Sequence, residues 1–181
     1  MNRIHVIGGP GSGKTTLGRR LAILGGMPLH ELDTIGYVHG AGARRPLADK
    51  LSDINNLAEQ PSWIVEGIFL WWTEALLQNA DVILWLDPPW RIAAWRILLR
   101  HAKASLNGTN RHRGLRRLLS FVLGSRAYYR DPPVAPQSPD DDNAVTRAGT
   151  EQALTPFRAK VVRCRRKSDI DAFVARWMNA R

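Results

Sequence analysis

Hydrophobic and polar positions alternate over Arg3-Ile4-His5-Val6-Ile7, a branched-rich stretch that reads as a strand ending at Gly8-Gly9. The period then changes. From Lys14 to Leu24 the apolar residues Leu17, Leu21 and Leu24 recur at helical spacing, with Gly25-Gly26 as the stop. Pro28–Asp33 reads as a second short strand with Glu31 and Asp33 on one face. Residues 34–46 are glycine-rich and loop-like, and Leu47, Leu51, Ile54 and Leu57 mark a helix that ends before Pro61. Ser62–Gly67 and Asp81–Asp87 are apolar runs of strand length, and each carries an acid at its end. Two amphipathic helices follow, Pro88 to about Leu106, stopped by Gly108, and about Gly114 to Tyr129, joined by a polar hinge over Asn107–Arg113. Residues 131–142 hold four prolines and four aspartates, the composition of a linker or mobile loop. Lys160–Cys164 is a last strand, and Ser168 caps a helix with Ile170, Phe173, Val174, Trp177 and Met178 on its apolar face.

Five strands alternating with helices predict an α/β fold in which right-handed crossovers build a parallel five-stranded sheet covered on both faces. Ligands of such folds collect at the carboxyl ends of the strands. Gly8, Asp33, Glu66 and Asp87 all fall at predicted strand ends, so one converging site is expected.

The 181 residues suit one domain spanning 1–181, and 44% hydrophobic with 23% charged residues excludes wholesale disorder and collagen-like structure. A single cysteine, Cys164, cannot form an internal disulfide and fits a reducing cytoplasm. Neither a membrane span of about 18 apolar residues nor a signal-peptide core of about 7 to 15 is visible, so a soluble cytoplasmic protein with no membrane partner is expected. The net charge of +10 is concentrated: residues 88–130 hold 10 Lys/Arg and no Asp/Glu. Such a block attracts polyanions, whether nucleoside triphosphates, nucleic acid or an anionic surface.

Gly8-Gly9-Pro10-Gly11-Ser12-Gly13-Lys14-Thr15 matches G-x-x-x-x-G-K-[ST] in full, between a predicted strand and a predicted helix. Glycines let backbone N–H groups close around the β- and γ-phosphates, and the helix start adds the positive end of its dipole. Lys14 then reaches the β/γ oxygens, the Thr15 hydroxyl ligates Mg²⁺, and Thr16 is placed for the α-phosphate.

With this loop the sequence resembles the small P-loop kinases of the adenylate kinase and shikimate kinase group. The opening RIHVIGGPGSGKTTLGRRLA is most similar to the adenylate kinase-related topology modulation proteins. The resemblance implies a three-layer P-loop NTPase fold with a helical, arginine-rich lid over about 100–130, and ATP with Mg²⁺ as the bound groups. In that group a strand ending in Asp-x-Pro leads into a helix with two lid arginines, matched here by Asp87-Pro88-Pro89 followed by Arg96 and Arg100. One helical turn separates the two, so they share a face while Ile92, Trp95 and Leu99 help form the apolar side. Arg111, Arg113, Arg116 and Arg117 resemble the lid itself. Glu66 aligns with the strand-end acid that contacts the metal through water, and Asp33 resembles the acid that approaches metal or acceptor hydroxyl in shikimate-type kinases. Asp87, ahead of two prolines, fits a helix cap better. The chain departs from adenylate kinases after Glu66-Gly67, where Ile68-Phe69-Leu70-Trp71-Trp72 replaces the Phe-Pro-Arg that grips AMP, and it lacks the paired Asp-Asp of their lid. Phe69, Trp71 and Trp72 are candidates for an apolar acceptor pocket, and Arg44 and Arg45 for holding an anionic acceptor.

The expected activity is Mg-dependent transfer of the ATP γ-phosphate to a nucleotide, nucleoside or other small hydroxyl acceptor. The expected machinery is Lys14, Asp33, Glu66, Arg96 and Arg100, a cofactor cradle from Gly8 to Thr16, and a metal site at Thr15 and Glu66. The alternative from another class is a nucleic-acid-associated P-loop ATPase, or a polynucleotide-end kinase, gripping phosphates with the basic 88–130 block. A basic amphipathic helix built on Leu115, Leu118, Leu119 and Val122, resting on a membrane, is a third reading, in which that stripe competes with an ordinary core role.

Overall fold

A computed structural model describes residues 1–107, 115–142 and 145–180; Gly108, Arg111, Arg113 and Gly114 lie outside the described residues. Strands β1 (Arg3–Gly8), β2 (Leu29–Glu31), β3 (Trp63–Glu66), β4 (Val82–Leu86) and β5 (Val161–Cys164) form one sheet in the order β2-β3-β1-β4-β5. Every pairing is parallel, with Ile4 opposite both Ile64 and Val82 and with Ile83 opposite Val161. The fold class is the α/β parallel sheet that the alternation predicts.

Around the sheet lie α1 (Lys14–Gly25), α2 (Leu32–Gly36), α3 (Leu47–Glu59), α4 (Glu74–Asn79), α5 (Trp90–Leu106), α6 (Leu115–Arg130), α7 (Arg147–Leu154) and α8 (Lys167–Asn179). One apolar layer packs Leu17, Leu21, Phe173, Val174 and Trp177 against Ile4, Val6 and Leu84. The opposite layer packs Ile54, Leu57, Leu76 and Leu154 against Ile7, Val65 and Ile83. Central strands buried on both faces must be apolar along their whole length, which is why WIVE and VILWL read as runs rather than alternations.

Several boundaries differ from expectation. The second strand stops at Glu31, and Asp33 lies in the first turn of α2, so Glu31 and Asp33 do not share a strand face. The short helices α4 and α7 carry too few periodic residues to be legible in the sequence. Met178 and Leu24 are exposed rather than core. Ser168 sits inside α8: Arg166 is the cap residue, and the Asp169 carboxylate accepts from the Arg165 and Arg166 N–H groups at 2.9 Å each. On α5 the apolar face is reversed, since Ala93, Ala94 and Ile97 are buried while Ile92, Trp95 and Leu99 are exposed. The backbone of α5 passes close to the turn after β1, with Ala93, Ala94 and Ile97 on the buried side. No helix among the described residues is long and apolar enough to cross a membrane.

Two buried polar groups shape the energetics. Asp87, following β4, is 1% exposed and does not cap α5, whose cap residue is Pro89. Its carboxylate pairs with Arg147 at 2.8 Å, Arg163 at 2.9 Å and Arg165 at 3.6 Å, and the Arg163 guanidinium also lies 4.0 Å from the centre of the Trp85 ring. This anion ties β4, α7 and the end of β5 together. His5, in the middle of β1, is fully buried, neither ring nitrogen has a hydrogen-bond partner, and desolvation pushes its pKa down to about 3.

Asp87→Ala removes the carboxylate shared by Arg147, Arg163 and Arg165 and is expected to lower stability by about 1–3 kcal/mol in urea denaturation, the worth of charge-assisted hydrogen bonds whose arginine partners still reach solvent. A loss within the scatter of a surface mutation contradicts this role. For His5, the unfolded chain takes up a proton below its ordinary pKa of 6.5 while the folded chain does not until about 3. Stability is therefore expected to fall by about 1.4 kcal/mol per pH unit from this group as pH drops through that window. His5→Leu should remove that slope and be neutral or stabilising at pH 7; parallel pH profiles for the two proteins refute it.

Candidate active site

The turn from β1 into α1 builds the site. Gly11 and Gly13 have φ of 75° and 100°, left-handed values that side chains disfavour, and Gly13 is the cap residue of α1. A Cβ on Gly11 would stand 2.5 Å from the Ala93 carbonyl oxygen, which is the close approach that keeps large residues off this face of α5. The loop closes on itself through Ser12 N–H donating to the Gly9 carbonyl at 3.2 Å. Two long-range bonds brace it from outside: Arg96 Nη1 donates to the Ser12 carbonyl at 2.6 Å, and the Tyr129 hydroxyl donates to the Pro10 carbonyl at 3.0 Å. With carbonyls turned outward to these braces, the loop's free amides are left for an anion.

A cleft of about 550 Å³ opens beside the loop, lined by Gly11–Leu17 together with Arg96, Arg100, Lys103 and, from α8, Lys167 and Asp171. Lys14 is half-buried, and desolvation lowers its pKa against the pull of Glu66 and Asp33, with Arg100 adding to the lowering. The Thr15 hydroxyl donates to Glu66 Oε1 at 2.7 Å, joining the start of α1 to the end of β3. Glu66 is buried, and desolvation raises its pKa while the Thr15 bond and Lys14 oppose the rise. Asp33 is exposed by area, yet neighbouring protein still raises its carboxyl, with Lys14 acting the other way.

Among the described residues no group of three or more His, Cys, Asp or Glu could hold a metal by itself. Thr15 and Glu66 offer one hydroxyl and one carboxylate side by side. That sparse, hard-oxygen set suits Mg²⁺, which keeps waters and takes further ligands from phosphate.

Of the predicted residues, the segment Gly8–Thr16, Glu66, Asp33, Arg96 and Arg100 gather at this end of the sheet. Arg100 is exposed on the cleft wall, whereas Arg96 is committed to Ser12. Arg45 is not free for an acceptor, because it donates to the Ile35 carbonyl at 3.0 Å and to Asp53 at 2.7 Å. Trp72 and Phe69 are buried core, 2% and 6% exposed. The residues that sequence reasoning missed are Tyr129, Lys167 and Asp171. Only the i, i+4 pairing of Lys167 with Asp171, 3.5 Å apart, leaves a trace in sequence.

No protein-family model matches the chain, and no curated protein matches it. Solved structures do. A gluconokinase from Sinorhizobium meliloti 1021 superposes with a TM-score of 0.51 at 18% identity, covering 99% of this chain and 94% of that one. A shikimate kinase from Acinetobacter baumannii in complex with shikimate gives 0.49 at 14% identity, covering 95% and 88%. An uncharacterized protein from Eubacterium ventriosum ATCC 27560 gives 0.49 at 14% identity, covering 98% of each. The five-stranded parallel sheet flanked by helices, with its glycine loop between β1 and α1, is thus the fold of the small P-loop kinases.

Proposed function

We propose that this protein is a Mg·ATP-dependent phosphotransferase that moves the γ-phosphoryl group of ATP to a hydroxyl of a small molecule. The observation that carries the reading is the Thr15–Glu66 hydrogen bond beside Lys14, at the mouth of a braced phosphate loop. A bare glycine turn has no reason to bury a carboxylate against the first threonine of the helix. Kinship of fold with a gluconokinase supports the class of reaction, and the likeness of residues 3–22 to adenylate kinase-related proteins supports ATP as donor.

Loop amides and the Lys14 ammonium hold the β- and γ-phosphates in place. Thr15 and Glu66 would hold Mg²⁺, which when bound would neutralise charge on the phosphate oxygens. Arg100, on the cleft wall, is positioned to lay its guanidinium on the transferring group, and Arg96 holds the Ser12 carbonyl away from it. Asp33, close enough to Lys14 to feel its charge, accepts the acceptor's hydroxyl proton as the new O–P bond forms. The bond to the β-phosphate oxygen breaks, ADP leaves, and Asp33 returns the proton to water. Such transfer needs positioning and electrostatics more than covalent help.

A coupled ADP-release screen over nucleosides, nucleotides, sugars and small acids, with an acceptor-free control, tests the proposal. Turnover that rises with an acceptor is expected, and Lys14→Ala should lose about 10²–10³-fold of it with unchanged circular dichroism. Full activity in that variant would remove the loop from the mechanism. Glu66→Gln should weaken Mg²⁺ activation by about 10–100-fold, the usual cost when a metal's supporting carboxylate is lost. An unshifted Mg²⁺ titration would assign Glu66 a packing role instead.

A further inference from the structure

The Pro/Asp-rich segment is tied to the body of the protein by its aspartates, and Asp142 lies near enough to Asp33 to act on its carboxyl. Asp142 Oδ2 accepts from the Tyr37 hydroxyl at 2.7 Å, its Oδ1 accepts from Trp72 Nε1 at 3.3 Å, and Arg44 Nε stands 3.9 Å from Oδ2. Asp140 Oδ2 accepts from Lys50 Nζ at 2.7 Å. Lys50 is a lysine on α3 whose side chain is only 1% exposed, and its ammonium lies 5.1 Å from the centre of the Trp72 ring. Within the segment, Ser138 donates to Asp140 and the Gln137 N–H donates to Asp141. These anchors lie 70 to 105 residues away in sequence, on the end of α2, on α3 and on the loop after β3. A stretch of prolines and aspartates has no core of its own to order it, so the bonds must offset its conformational entropy.

The position is telling. The Tyr37 N–H donates to the Asp33 carbonyl at 3.0 Å, which puts the Asp142 site one helical turn from the acid assigned to the acceptor hydroxyl. Phe69, three residues past Glu66, packs between Tyr37 and Trp72 at ring distances of 6.1 and 4.9 Å. A phenol, an indole N–H and a guanidinium all point at one carboxylate, and such a donor set recognises an oxyanion. Burial and the Asp142 bond push the Tyr37 hydroxyl up to about 12, so it remains a donor throughout the physiological range. The fit of Asp142 is slack at Arg44, since 3.9 Å is beyond hydrogen-bond distance. A free carboxylate or phosphate could engage that guanidinium fully.

We propose that residues 137–142 are an intramolecular acidic latch, in which Asp142 occupies an oxyanion site formed by Tyr37, Trp72 and Arg44 that a carboxylate- or phosphate-bearing acceptor takes over. The identity of the displacing molecule rests on the phosphotransferase reading, whereas the latch itself does not. The acceptor would then be an anion, and its binding would be coupled to release of the segment.

Amide hydrogen exchange on the full-length protein separates the two. In Asp142→Ala, the amides of 37–45 and 137–142 should exchange about tenfold faster, the worth of one or two lost hydrogen bonds, while those of β1 and α1 stay unchanged. In the Lys14→Ala background, which weakens phosphate binding at the glycine loop, inorganic phosphate should speed exchange of 137–142 relative to chloride at matched ionic strength. Unchanged exchange in Asp142→Ala overturns the latch, and an equal response to phosphate and chloride overturns the oxyanion site. In the acceptor screen, Asp142→Ala should lower KM several-fold for anionic acceptors and leave the KM for ATP alone. A raised acceptor KM would instead make Asp142 a direct acceptor ligand and sink the competition. If no acceptor supports turnover in the wild type, the phosphotransferase reading fails, and the two exchange arms still decide the latch.

Discussion

A phosphate-binding loop has to leave its amide hydrogens unpartnered toward the ligand, and a loop built that way cannot hold itself in shape. Here the support comes from its carbonyl side. Arg96 holds Ser12, Tyr129 holds Pro10, and the backbone of α5 lies against Gly11 so closely that a methyl group would not fit. The bracing side chains come from α5 and α6. Whatever moves those helices therefore moves the loop, so the loop's shape and the placement of α5 and α6 are mechanically coupled. The reversed face of α5 follows from the same constraint, because a helix pressed on a glycine loop must turn Ala93 and Ala94 inward and send Ile92, Trp95 and Leu99 to the outside.

Much of this was legible in the sequence, and the reason is local. Strand periods, the glycine stops and the spacing inside Gly8–Thr15 depend on neighbours a few residues apart, and five strands, the parallel order and the loop came out as read. Glu66 was singled out by its resemblance to the strand-end acid of adenylate kinases, and it lies at the end of β3 beside Thr15. Contacts between distant segments were not legible. Asp87 is the clear case: in sequence it is an acid before two prolines and looks like a cap, and only the fold reveals three arginines from beyond residue 146 converging on it. Asp33 failed differently, because a strand of three residues left the next acid to the opening turn of α2.

The basic excess also reads differently in three dimensions. Part of the acid-free block is spent internally, with Arg96 on a carbonyl and Arg126 over the Trp90 ring at 5.4 Å. Arg100 and Lys103 instead line the cleft. A cleft that gathers cations on both walls, from α5 and from α8, is electrostatically suited to a polyanion.

Acids from outside the block do the complementary work. Asp87 gathers the arginines of α7 and β5, while Asp140 and Asp142 gather Lys50, Tyr37 and Trp72 from α3, the end of α2 and the loop after β3. The two arrangements differ in depth, and that difference carries functional weight. The Asp87 side chain is wholly enclosed and held by three guanidinium groups, so it can serve only as a fixed joint. Asp142 is 11% exposed, Asp140 is 22% exposed, and both hang from a segment without strand or α-helix, so their bonds can be exchanged for those of another anion with far less disruption. Depth thus separates a joint that cannot be exchanged from one whose bonds another anion can match.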